Sequence, residues 1–143
     1  MLVHHGEAVG PDVDPMRPLS SAGRAATERL AGAAAARGVK PDAIWHSGKL
    51  RARQTAEIFW KACNPIAPLS AERGLLPDDP PQWMRDRLTG ETRDILVVGH
   101  MPYLPRLLGV LTDDPGATSF PIHACVALEP DGNRWKEIWR LER

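Results

Sequence analysis

The residues of this chain that could do chemistry together are histidines and arginines. His4 and His5 are adjacent and run into Gly6 and Glu7; Arg17 stands between Met16 and Pro18; Ser47 and Arg51 share one short segment; His100 closes an apolar run. A neutral imidazole can attack as a nucleophile, and a guanidinium is a permanent cation with several donors for an oxyanion. Two arginines, two histidines and a helix N-terminus would make a phosphate pocket. Positive charge beside His5 would lower its pKa and keep a lone pair free at pH 7. Neighbouring side chains on a strand point to opposite faces, so His4 and His5 share a direction only if a turn has begun there. Gly6 is expected to let the backbone approach a ligand closely. By themselves the paired histidines are equally well read as solvated residues of a terminus.

The elements around these residues alternate between strand and helix. Leu2 and Val3 lead into the first histidines as the end of a short buried strand. A Gly-, Pro- and Asp-rich loop over 8–18 follows, then a helix capped by Ser20 or Ser21 that runs to about Arg37 and stops at Gly38. Ala26, Leu30, Ala33 and Ala34 form its expected apolar stripe. A second strand, Ala43 to Trp45, ends at His46-Ser47-Gly48, and a helix over roughly 49–62 carries Arg51, Arg53, Gln54 and Thr55 in its first two turns. Its apolar side is expected at Leu50, Ala52, Ile58 and Phe59. A third strand is expected near Ile66 to Leu69 or Arg73 to Leu76, and one or two helical turns over 82–88. Asp94 to Gly99 reads as a fully buried parallel strand ending in His100. A helix from Tyr103 to Leu111 and two strands, Ala124 to Leu128 and Trp135 to Leu141, complete the chain, the pair joined by Pro130-Asp131-Gly132-Asn133. This order predicts an α/β fold: a three-layer αβα domain with a mostly parallel central sheet, one domain over residues 1–143. Ligands of such sheets bind beyond the carboxyl ends of the strands, where His5, Ser47, Arg51 and His100 would converge, with Arg17 joining from its loop.

Composition narrows the partners. Lys plus Arg and Asp plus Glu are equal at 18 each, so no global field argues for nucleic acid or an anionic membrane, and an anion site must be local. Cys63 and Cys125 fit no metal-ligand or redox spacing and are expected to be buried, reduced thiols. No run approaches a membrane span, and the chain enters a strand with no signal stretch, so the cytoplasm is the expected location. A zinc site is not expected, because no histidine pair has helical spacing and no cysteine lies near.

The sequence resembles the histidine phosphatase (phosphoglycerate mutase-like) superfamily at four places, in that family's order. His4-His5-Gly6-Glu7 resembles its Arg-His-Gly-Glu signature. Arg17-Pro18-Leu19-Ser20 with Gly23 is similar to Arg-Pro-Leu-Thr-x-x-Gly. Ser47 to Ala56 is similar to Ser-Pro-x-x-Arg-Ala-x-Gln-Thr-Ala, and Val97 to Pro102 to the strand bearing its second histidine. Small size and the Arg-Pro-Leu-Ser segment are similar to the SixA-like phosphohistidine phosphatase branch. The resemblance implies a phosphoglycerate mutase-like fold, His5 as the nucleophile, and Arg17, Arg51 and His100 as groups that grip and stabilise the phosphoryl oxygens. It implies no metal and no cofactor. Three positions depart from the pattern: Gly48 stands for proline, Met101 for a frequent asparagine, and His4 for the first arginine of the signature. The last exchanges a permanent bidentate cation for a titrating group, which carries charge only near or below its ordinary pKa of ~6.5.

Other polar residues have plainer expected roles. Glu7 is expected to pair with a neighbouring cation, and His46 and His123 to be structural. Asp78 is the candidate proton donor by its place in the chain. The expected substrate is phosphohistidine on a protein, since too few residues precede His100 for a large lid. A small-molecule phosphomonoesterase is the enzyme alternative, and a phospho-ligand binding module impaired by His4 is the alternative of another class. Oligomeric state is left open.

Overall fold

The computed structural model describes residues 1–116 and 119–142. In chain order they form β1 (Leu2–His4), α1 (Ser21–Ala36), β2 (Ala43–His46), α2 (Leu50–Cys63), β3 (Leu69–Ala71), α3 (Pro81–Thr89), β4 (Ile95–Gly99), α4 (Tyr103–Thr112), β5 (Cys125–Asp131) and β6 (Arg134–Leu141). One six-stranded sheet runs in the order β3-β2-β4-β1-β5-β6. β3, β2, β4 and β1 are parallel to one another, and β5 and β6 add an antiparallel edge.

Side-chain alternation along the strands builds the two outer layers. Leu2, Trp45, Ile95 and Val97 face a cluster with Met84, Leu88, Leu104 and Leu107 of α3 and α4. Val3, Ile44, Leu96 and Val98 face Leu30, Ala34, Ala56 and Phe59 of α1 and α2. Both faces of β4 are therefore covered, which accounts for its uninterrupted apolar run. The α1 stripe differs slightly from the expected one: Ala31 is buried while Ala33 is exposed, and Gly23 and Thr27 extend the buried face. The third strand falls at Leu69–Ala71, between the two expected stretches and overlapping the first by one residue. Leu69 and Ser70 are only partly buried and Ala71 is exposed, so hydrophobic periodicity marks it poorly. The closing hairpin turns on Gly132-Asn133 alone, with Gly132 at φ 64, so Pro130 and Asp131 belong to β5.

Register places the functional ends together. His4 is opposite Gly99 on the parallel neighbour β4, and His46 is opposite Val98. The segments leaving β1, β2 and β4 thus emerge side by side at one edge of the sheet. Cys63 is half-buried and Cys125 buried, both as free thiols, and burial pushes Cys125 up to about 11. Among the described residues no helix is long and apolar enough to cross a membrane.

Candidate active site

The chain turns immediately after β1, and both His4 and His5 enter the same site. The rings of His4 and His5 are 4.4 Å apart between centroids, and those of His5 and His100 5.1 Å apart. All three residues are buried. His5 Nδ1 lies 2.7 Å from the Gly6 carbonyl. A carbonyl only accepts, so Nδ1 carries the proton and Nε2 keeps its lone pair. Burial, reinforced by Arg51, His123 and Arg17, lowers the His5 pKa to about 4, against the opposing hydrogen bond to Gly6. The ring is therefore neutral at pH 7.

His100 is only 1% exposed. Its Nε2 lies 2.6 Å from Ser47 Oγ, while its Nδ1 is buried with no hydrogen-bond partner among the described residues. Burial, then His5 and Arg51, lower its pKa to about 3. Arg51 sits in the first turn of α2, which has no acidic residue of its own. Its Nε is likewise buried and unpartnered, and burial together with Arg17 lowers its pKa. Two buried donors or acceptors left open at one site are costly unless something polar meets them.

Arg17 reaches the site from a strained loop. Its backbone is left-handed at φ 50, and its Nε donates to the Val9 carbonyl at 3.0 Å. It acts electrostatically on His5, Arg51 and His100. Two residues of the third resembling segment hold these loops in place. Gln54 Oε1 accepts from the Leu19 N–H at 2.7 Å, pinning the Arg17 loop to α2. Thr55 Oγ1 accepts from the Gly6 N–H at 3.0 Å and donates to the Arg51 carbonyl at 2.9 Å.

The structure gives Gly6 a different reason from the expected one. A Cβ there would lie 2.3 Å from Thr27 Oγ1, so the missing side chain lets the loop after β1 press against α1, and its N–H is taken by Thr55. Gly23 is the reciprocal contact, since its Cβ would lie 2.1 Å from the Glu7 carbonyl oxygen. Among the described residues Glu7 pairs with no cation: its carboxylate accepts from Ser20 Oγ at 2.9 Å beside the α1 N-cap. Asp78 is exposed, and no carboxylate is among the main charges acting on His4, His5 or His100. Asp79, its neighbour, lines a cleft of about 400 Å³ with Ser47, Arg73, Leu76 and Trp83. His46 accepts from the Gly48 N–H at 3.0 Å, the structural role expected of it.

His123, expected to be structural, is built into the site itself. It stacks on His4 with centroids 4.9 Å apart and planes 7° from parallel. Its N–H donates to His4 Nδ1 at 2.8 Å, and its own Nδ1 donates to the His5 carbonyl at 2.7 Å. The sole sequence signal was a histidine just before a buried strand, with no motif around it. His4 is thereby fixed as the tautomer bearing its proton on Nε2. Burial, then the neighbouring imidazoles and Arg51, lower its pKa to about 3, so it does not titrate near neutrality as expected.

One ring nitrogen from each of His4, His5 and His123 lies within 4.8 Å of the other two. The set is poorly suited to a cation, because His4 Nδ1 is engaged and Arg51 and Arg17 set a positive field. The donors beside it, the His4 Nε2–H and the Arg51 and Arg17 guanidiniums, suit an oxyanion. A second cleft, about 490 Å³, lies at the other end of the sheet against Met1, Asp94 and Trp135, and holds none of these groups.

Known proteins share the fold. The fold is that of the histidine phosphatase SixA solved with tungstate: TM-score 0.85, 24% identity, 98% of this chain and 94% of that one. A protein of Agrobacterium tumefaciens assigned as the phosphohistidine phosphatase SixA gives 0.83 at 24% identity, over 99% and 96% of the two chains. A phosphoserine phosphatase from Entamoeba histolytica, in complex with 3-phosphoglyceric acid, gives 0.74 at 12% identity, over 99% and 95%. No curated protein matches the sequence. The sequence model of the histidine phosphatase superfamily, branch 1, matches residues 1–76, which run from β1 through Arg17 and α2 to β3. The chain belongs to the histidine phosphatase superfamily.

Proposed function

We propose that this protein is a phosphatase that works through phospho-His5 and takes phosphohistidine on a protein as its substrate. The observation that carries the reading is the neutral His5 ring, held by the Gly6 carbonyl with Nε2 free, 5.1 Å from His100 and in the field of Arg17 and Arg51. In this reading His5 Nε2 attacks phosphorus and the bond to the leaving group breaks. Arg51, Arg17 and His100 stabilise the charge spread over the phosphoryl oxygens, a purely electrostatic task suited to preorganised donors. The unpartnered Arg51 Nε and His100 Nδ1 are matched to those oxygens. His4 contributes a neutral Nε2–H. Water then hydrolyses the phosphohistidine, so the chain's own cations carry the reaction without a metal.

Two features favour a phosphoamide over an alkyl ester. No carboxylate acts strongly on the reacting histidines. An alkoxide leaving group needs a positioned proton donor, whereas a protonated imidazole leaves readily. The relative solved with tungstate carries the name protein histidine phosphatase, and tungstate is a tetrahedral oxyanion like phosphate. The test is turnover of a phosphohistidine peptide against an alkyl phosphomonoester under one set of conditions. The phosphoamide should be favoured in kcat/KM by at least about 10²-fold, the size of absent general-acid catalysis. Equal rates would favour the small-molecule phosphomonoesterase. Binding without turnover of either would favour a binding module disabled at His4.

A further inference from the structure

His123 is tied to both histidines that follow β1, yet the phosphoryl transfer to His5 does not use it. Its N–H meets His4 Nδ1 at 2.8 Å and its Nδ1 meets the His5 carbonyl at 2.7 Å. With Nδ1 protonated toward that carbonyl, Nε2 is the free lone pair. The ring centroid lies 6.1 Å from that of His5, and a ring nitrogen of each falls within 4.8 Å of the other. The His123 ring therefore lies close enough to His5 to flank a phosphoryl group carried there and to reach a water attacking it. His123 is half-buried whereas His4, His5 and His100 are buried, so of the four rings it is the one open to water. Its backbone is left-handed at φ 52, as Arg17 is at φ 50. Such backbone is uncommon outside glycine and gathers where surroundings over-determine a functional side chain.

We propose that His123 is the general base of the second half-reaction, accepting the proton of the water that attacks phospho-His5. This rests on the phosphatase reading above. The water oxygen bonds to phosphorus as the P–N bond breaks, and its electron pair returns to His5 Nε2. The proton passes to His123 Nε2, inorganic phosphate departs, and the half-exposed ring returns the proton to solvent. A purely structural His123 would hold His4 and His5 in place and would serve both half-reactions alike.

Rapid mixing with radiolabelled phosphoramidate, followed by an alkaline quench, separates the two steps. In His123→Asn the side-chain amide can still donate to the His5 carbonyl, and asparagine tolerates a left-handed backbone, but it accepts no proton. The variant should still phosphorylate His5, while decay of the phosphoenzyme slows by roughly 10²-fold and the intermediate accumulates. His123→Gly also accepts the backbone and opens space, and added imidazole should restore its decay rate. Equal losses in both steps, or no change in either, would overturn the proposal. Absence of phospho-His5 from the unmodified protein would instead remove the phosphatase reading on which it rests.

Discussion

At position 4 the exchange of arginine for histidine alters the kind of contact offered to a phosphate, beyond its charge. Buried against His5 and His123, the ring has a pKa near 3 and stays neutral throughout the working range. It can donate from Nε2 because Nδ1 accepts from the His123 N–H. An alkaline loss of activity from His4 deprotonation is therefore not expected; any such limb belongs to another group or to the substrate. His4→Arg should do two opposite things. A charge-assisted contact should tighten inhibition by inorganic phosphate about tenfold, or ~1.4 kcal/mol. The guanidinium has no acceptor for the His123 N–H, so folding stability should fall by about 1–3 kcal/mol. Phosphate inhibition constants and urea midpoints measured on both proteins check the pair. Unchanged phosphate affinity would mean that position 4 does not face the anion.

Among the elements, the contact between α1 and the loop after β1 sets where His5 sits. Gly6 and Gly23 interlock there with no room for a Cβ, whereas Gly32, also in α1, has nothing within 4 Å of its ideal Cβ. The same substitution in one helix should thus have opposite signs. Gly32→Ala should stabilise by about 0.5–1 kcal/mol through helix propensity. Gly23→Ala must displace the Glu7 backbone and should destabilise by about 1–3 kcal/mol or more, with loss of activity as His5 moves. Thermal unfolding and steady-state rates of the two variants decide it; matching stability changes would show that the interlock is loose. The Arg-Ala-x-Gln-Thr block was recognisable in the sequence, but not the reason for it. Gln54 and Thr55 act on Leu19 and Gly6, partners 35 and 49 residues away, so only the fold shows that they pin two loops rather than touch a phosphate.

The whole molecule carries a cluster of neutral imidazoles in its interior, and that couples the site to stability. His4, His5 and His100 have folded pKa values near 3, 4 and 3, below the ~6.5 of an unfolded chain. Between those limits the unfolded state binds protons that the folded state does not. Stability is therefore complete above pH ~6.5 and is lost as pH falls toward 4. At pH 5 the loss is about 2 kcal/mol for each imidazole, large against a total of about 5–15 kcal/mol. The slope of unfolding free energy between pH 6 and 5 should drop by about one proton in His5→Asn; an unchanged slope would mean that His5 is already protonated in the folded protein. The three-layer αβα fold with its mostly parallel sheet could be anticipated because long apolar runs alternating with helices mark a buried parallel sheet strongly. β3 could not be placed, being short and half-exposed, and His123 could not, because its link to His4 and His5 depends on β5 pairing with β1 across the chain. The central claim is that phosphate passes through His5, and the most direct measurement is peptide mass mapping after brief exposure to a labelled phosphoryl donor and an alkaline quench that preserves the P–N bond. The account predicts label on His5, absent in His5→Ala together with turnover. Label confined to another residue, or normal turnover by His5→Ala, would contradict it.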